Sequence, residues 1–162
     1  MSDELRSNAS APSIQTKTVN RTQPLRTRER SFGYALRAIK LYRYLLKQRD
    51  GVGWILGKQY LRAACSIGAN VEEAQAGESR ADFIHKLGIA QKEARECRYW
   101  LRLLAESETV PSGRLGPLIQ ATEEIIRILS SIILTTKRRR AGDGAENAAS
   151  GADRSKLRTQ NS

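Results

Sequence analysis

Histidine occurs once in this chain, at His85, and cysteine twice, at Cys65 and Cys97. A carboxylate-bridged metal site in a helical bundle needs a Glu-x-x-His on each of two helices plus two further glutamates. Asp82 and His85, spaced i, i+3, echo half of that pattern, and a second histidine does not exist. His85 is therefore expected at a surface or partly buried position. Two cysteines without a close C-x-x-C pair make neither a disulfide framework nor a zinc site. No stretch alternates with a period of two, so no glycine-rich phosphate loop follows a strand. The N-terminus has no apolar h-region of the secretory kind. The longest apolar run, 125–134, is interrupted by Arg127, Ser130 and Ser131. It falls short of the roughly 20 residues a membrane span needs. These absences argue against an enzyme, a bound metal or cofactor and a membrane partner, and for a cytoplasmic location.

What the chain does have is positive charge: a formal net charge of +11 and a pI near 10.2 over 162 residues. Residues 1–30 hold six basic and three acidic residues, and 137–162 hold seven and three. Within the middle, the excess gathers at Arg37, Lys40, Arg43, Lys47 and Arg49. A basic protein with basic ends fits a polyanionic partner, most simply nucleic acid. The plainer explanation is solubility with nonspecific stickiness. Residues 1–30 and 138–162 are poor in large apolar side chains, so both are expected to be disordered basic tails around a folded unit of 31–137.

That unit reads as four helices. The first, expected over 31–48, carries two apolar lines. One follows Phe32, Ala35, Leu36, Ile39, Tyr42 and Leu46; the other follows Tyr34, Ala38, Leu41 and Leu45. One line suffices for a bundle core, so the second, through Tyr34, Leu41 and Leu45, is assigned to a subunit contact. The stretch "RDGVG" ends this helix, with glycines expected as cap and turn. The second helix, 54–76, has its seam at Tyr60, Ala64, Ile67, Val71 and Ala74. Ser79 is placed as the N-cap of the third, with Asp82 three positions on. That helix, 80–107, repeats four-three through Phe83, Leu87, Ala90, Ala94, Cys97, Leu101 and Leu104, the spacing of helices crossing at a shallow angle. Cys97 reads as a small core residue, and Cys65 as packing beside its own seam. The fourth helix begins between 112 and 117 and follows Leu115, Leu118, Thr122, Ile125, Leu129, Ile132 and Thr136. Short connections make this an all-α, antiparallel up-down-up-down four-helix bundle. Tyr99 and Trp100 face off the third seam and are assigned to an oligomer interface, where such aromatics concentrate.

The segment "QYLRAACSIGANVEEAQAGESRADFIHKLGIAQKEARECRYWLRLL" carries a resemblance. Its pieces are Q-x-x-R-A-A-x-S-I-G-A-N-x-x-E-A, S-x-x-D-F-I-x-K-L and A-x-K-E-A-x-E-x-x-Y-W-L. It resembles the four-helix-bundle proteins first noted as reading frames in intervening sequences of bacterial 23S ribosomal RNA genes. The match covers the second and third helices strongly, the first and fourth in pattern only, and the tails not at all. The resemblance implies a homopentamer. It also implies kinship with the accessory variability protein of diversity-generating retroelements, a basic pentamer that works with a reverse transcriptase and nucleic acid.

Two functions follow. One is a non-enzymatic oligomeric accessory factor that contacts RNA or a ribonucleoprotein through Arg37, Lys40, Arg43 and Lys47 and through Lys137, Arg138, Arg139 and Arg140. The other is a scaffold that docks a partner protein, for instance a reverse transcriptase, without touching nucleic acid. The stretch "SIGANVEEA" reads as a polar clasp. Glu73 is expected to pair with Lys86 or His85, and Asn70 to bond across the groove to the third helix.

Overall fold

The computed structural model describes the backbone of residues 22–159 and the side chains of 26–139. Of the segments expected as tails, 1–21 and 160–162 lie outside the described residues, whereas 138–159 continue the fourth helix. Four helices, α1 (Thr22–Gln48), α2 (Gly51–Ala76), α3 (Arg80–Glu106) and α4 (Ser112–Thr159), account for nearly all of the rest. Partners across each seam run in opposite directions along the chain. Glu73 meets Lys86 and Arg62 meets Glu96 between α2 and α3. Arg30 meets Glu124, and Tyr34 meets Thr122, between α1 and α4. Neighbouring helices are thus antiparallel. α2 packs most closely on α3, α1 on α2 and α3 on α4, while α1 touches α4 least.

The core is the predicted set on three helices. Tyr60, Ala64, Ile67, Val71 and Ala74 of α2, Leu87 to Leu104 along the α3 seam, and Leu115, Leu118, Thr122, Ile125 and Leu129 of α4 are buried. Phe83, Ile132 and Thr136 are only partly covered. α1 corrects two expectations. Its apolar lines are exchanged: Tyr34, Ala38, Leu41 and Leu45 lie inside the protomer, at 0–7 % exposure, while Phe32, Leu36 and Leu46 are 66 %, 45 % and 47 % exposed. Tyr34, Leu41 and Leu45 therefore pack within the chain and are not available as a subunit contact. The helix also starts at Thr22, inside the stretch read as a tail. Thr27 and Ser31 are buried there, and they extend the inner line as Thr27, Ser31, Tyr34, Ala38, Leu41, Leu45, an unbroken four-three repeat. Ion pairs from Arg28 to Glu72 and from Arg30 to Glu124 tie this first part of α1 to both neighbours.

The α1–α2 connection also differs from expectation. No glycine caps α1; Arg49 takes the left-handed conformation, φ 55°. Asp50 then caps α2, accepting from the backbone N–H groups of Val52 and Gly53. Gly53 and Gly57 sit inside α2 and are buried. A Cβ at Gly57 would fall 2.5 Å from Leu45 Cδ1, so these glycines let the two helices close around Leu45. At the head of α3, Ser79 Oγ accepts from the Asp82 N–H at 3.0 Å. Pro117 lies within α4, beyond its first turn, and cannot donate to the Gly113 carbonyl one turn back.

One buried polar cluster crosses the core. The Tyr34 and Thr122 hydroxyls are 2.5 Å apart, and Thr122 also donates to the Leu118 carbonyl at 2.7 Å. The Tyr60 ring stands edge-on to Tyr34, 6.2 Å between centroids. Cys97 Sγ lies 4.0 Å from the Tyr60 carbonyl oxygen. Burial raises the pKa of both tyrosines and pushes the Cys97 thiol up to about 12. A thiol held this way is a packing group and not a nucleophile.

Candidate nucleic-acid interface

Some cations on this surface have a carboxylate partner. Arg28, Arg30, Arg62, Lys86 and Arg102 pair with Glu72, Glu124, Glu96, Glu73 and Glu106 in turn. The stripe on α1 has no such pair. Arg37, Lys40, Arg43 and Lys47 are all exposed, and none has a carboxylate partner among the described residues. Arg37 has only the face of Tyr34, 5.8 Å from its guanidinium carbon to the ring centroid. The cause is local: between Glu29 and Asp50, α1 has no acidic residue. Side chains three and four apart on it are neighbours of like charge, which does not stabilise the helix.

The structure splits the stripe. Arg37 and Lys40 turn toward α4 and line a cleft there, together with Arg114, which the sequence reading did not single out. Lys137, Arg138 and Arg139 are exposed on α4. From the Tyr34–Thr122 register and a helical rise of about 1.5 Å per residue, Lys137 lies roughly 25 Å along the axis from Arg37. The two basic groups thus mark different parts of the molecule. The side chain of Arg140 lies outside the described residues.

The cleft at the α1–α4 seam encloses about 290 Å³. Buried Leu41 and Leu118 line it, with Tyr44 and Pro117. The guanidinium of Arg114 lies over the Tyr44 ring, 4.6 Å from its centroid. No acidic side chain lines it. Arg114 also stands at the start of α4, in a first turn without an acidic residue. That is the positive end of the helix dipole, where anions are favoured and cations are not. The signal for Arg114 was present in the sequence as a base at a helix start. Its partner surface on α1 becomes visible only once the helices are packed.

The polar stretch on α2 carries a structural contact. Lys86 Nζ donates to Glu73 Oε2 at 2.7 Å, and that bond and charge raise the pKa of Lys86. Asn70 departs from expectation. Its Nδ2 donates back to the Ser66 carbonyl at 2.9 Å and to Ser66 Oγ at 3.2 Å. Asn70 closes on its own helix and does not cross the groove, because Ser66 sits one turn away on the same face. His85 is exposed. Tyr99 is 56 % exposed, whereas Trp100 is half-buried and donates to Glu96, which also accepts from Arg62. Phe32, Leu36, Leu46, Val52, Trp54 and Ile55 form the larger exposed apolar set, on α1 and the start of α2. Among the described residues, no three His, Cys, Asp or Glu side chains gather as a metal site, and no helix is long and apolar enough to cross a membrane.

The described relatives agree with this architecture. No curated protein matches the chain. A crystal structure of a protein of unknown function from the S23 ribosomal protein family of Bacteroides thetaiotaomicron VPI-5482 is 40 % identical. It superposes with a TM-score of 0.64 and covers 68 % of this chain and 97 % of its own. The family model described as 23S rRNA-intervening sequence protein matches residues 23–131, starting within one residue of the first residue of α1. The chain belongs to the 23S rRNA-intervening sequence protein family.

Proposed function

We propose that this protein is a non-enzymatic accessory factor that binds RNA, or a ribonucleoprotein, as an oligomer in the cytoplasm without a cofactor. The observation that carries the reading is the basic stripe of α1: four exposed cations on one helix, with no acidic residue between Glu29 and Asp50 and no carboxylate partner among the described residues. Four phosphate contacts on a single strand give a log–log salt slope of roughly −3, so affinity falls about 50-fold between 50 and 200 mM salt. Fluorescence anisotropy with a labelled RNA measures that slope. An affinity that is flat with salt, or that survives charge reversal of Arg37, Lys40, Arg43 and Lys47, rules the reading out.

The exposed apolar residues support self-association. Phe32 and Leu36 on the outer face of α1 offer large side chains to a second copy. The family resemblance sets the expected assembly at five subunits. Sedimentation of the wild type against Leu36→Lys tests this: the variant is expected as a monomer, and a wild type that is itself monomeric refutes it. Val52, Trp54 and Ile55 favour a second reading, a scaffold that docks a partner protein such as a reverse transcriptase. Co-purification with nuclease treatment separates the two readings. A partner that stays after RNA is digested supports the scaffold.

A further inference from the structure

We propose that the cleft between α1 and α4 binds one nucleotide of a single strand, with its phosphate on Arg37, Lys40 and Arg114 and its base on the Tyr44 side. This rests on the RNA reading and gives it a site. Three features converge. Arg37, Lys40 and Arg114 face one cavity that holds no acidic side chain, and none of the three has a carboxylate partner among the described residues. The rest of the lining is apolar or aromatic: Leu41, Leu118, Pro117 and the Tyr44 ring. The third feature is Arg114 itself, held over that ring at the positive end of α4.

The chemistry selects the ligand. A bare anion would leave the apolar lining unused, and an apolar molecule would leave three cations uncompensated. A nucleotide supplies a charged group and a flat ring together, and base–aromatic stacking with arginine support is how single strands are held without regard to sequence. At about 290 Å³ the cleft lies at the low end of the roughly 300–1,000 Å³ range of small-molecule sites. It admits one nucleotide unit and no duplex, whose bases are stacked inward. Arg43 and Lys47 lie outside the cleft lining, so the stripe can hold the backbone of either strand type while the cleft distinguishes them.

Three probes test the assignment on the full chain: a labelled single-stranded RNA 10-mer, a labelled RNA duplex, and adenosine monophosphate. Arg114→Gln and Tyr44→Leu are each expected to weaken the 10-mer about tenfold, within the usual range for one stacked base. Duplex affinity should change less than about twofold, as expected for phosphate contacts spread along the stripe. Tyr44→Phe should behave as wild type. Arg114 is exposed, so if Tyr44→Leu fails to fold, Arg114→Gln decides alone. Equal losses on both RNAs, or none on either, overturn the cleft and leave binding by the stripe intact. If the monophosphate binds, shifts Tyr44 and is displaced by the 10-mer, the strand is the source. If it binds and neither RNA does, the cleft stands as a site for a free nucleotide and the RNA reading falls. If nothing binds, both are refuted.

Discussion

Gly57 and Gly68 are both inside α2, and the same substitution should act on them with opposite sign. Replacing glycine by alanine in a helix interior is worth about 1 kcal/mol in favour of folding. At Gly68 the new Cβ meets only the Ser31 carbonyl group, its oxygen at 3.9 Å and its carbon at 4.0 Å, ordinary contacts. Gly68→Ala should therefore stabilise by about 0.5–1 kcal/mol. At Gly57 the new Cβ meets Leu45 Cδ1 at 2.5 Å and Tyr42 Cδ2 at 3.3 Å. Leu45 is 1 % exposed and has Gly53 against its other methyl, so it has little room to yield. Overpacking of this kind costs about 1–3 kcal/mol, which exceeds or cancels the helix gain and leaves a net loss of about 0–2 kcal/mol. Urea unfolding followed by circular dichroism, at one fixed protein concentration, gives both values. A Gly57→Ala variant stabilised as much as Gly68→Ala would refute the argument that this glycine exists to seat Leu45.

Three other outcomes follow from the buried cluster and the cysteines. Tyr34→Phe removes one hydroxyl while Thr122 keeps its bond to Leu118, so it should cost about 0.5–1.5 kcal/mol. Thr122→Val strands the Tyr34 hydroxyl and should cost more, about 1–3 kcal/mol, with the double variant regaining part of the loss in a double-mutant cycle. Stability should fall at high pH. Tyr34, Tyr60 and Cys97 keep their protons longer folded than unfolded, so their contribution is complete below pH 9 and is lost as pH rises toward about 12, where the folded Cys97 titrates. Denaturant midpoints at pH 8 and pH 10.5 should show that decline, and equal midpoints would contradict it. A maleimide should label one thiol of the native protein, the exposed Cys65, and both only in denaturant, as read by mass spectrometry.

Three helices were legible because each has one apolar line. The four-three repeat of α3 can be placed in only one way, and Ser79 and Asp82 mark its start without help from the rest of the fold. α1 was misread because it has two lines of similar apolar content. The line that wins begins with Thr27 and Ser31, polar side chains that hide its length, and ends in Leu45, for which α2 opens a gap at Gly53 and Gly57. The outer line is richer in large side chains, so hydrophobicity alone points to the wrong face. Regularity of spacing would have been the better guide. The site divides in the same way. The basic residues of α1 and the Glu73–Lys86 pair follow from spacing along or across adjacent helices. The approach of Arg114 to Tyr44 joins the first helix to the last, and no local pattern encodes it.

That division also orders how the chain assembles. Three of the four seams join helices consecutive in sequence, so most contacts are local and favour fast folding. The α1–α4 seam is the exception: Tyr34 and Thr122 are 88 positions apart. Closing it directly carries the largest chain-entropy cost, a cost that shrinks once α2 and α3 have already folded the chain back. The seam is thus the last to form and, being the slightest, the first to open, so amide exchange along the facing sides of α1 and α4 should be faster than between α2 and α3.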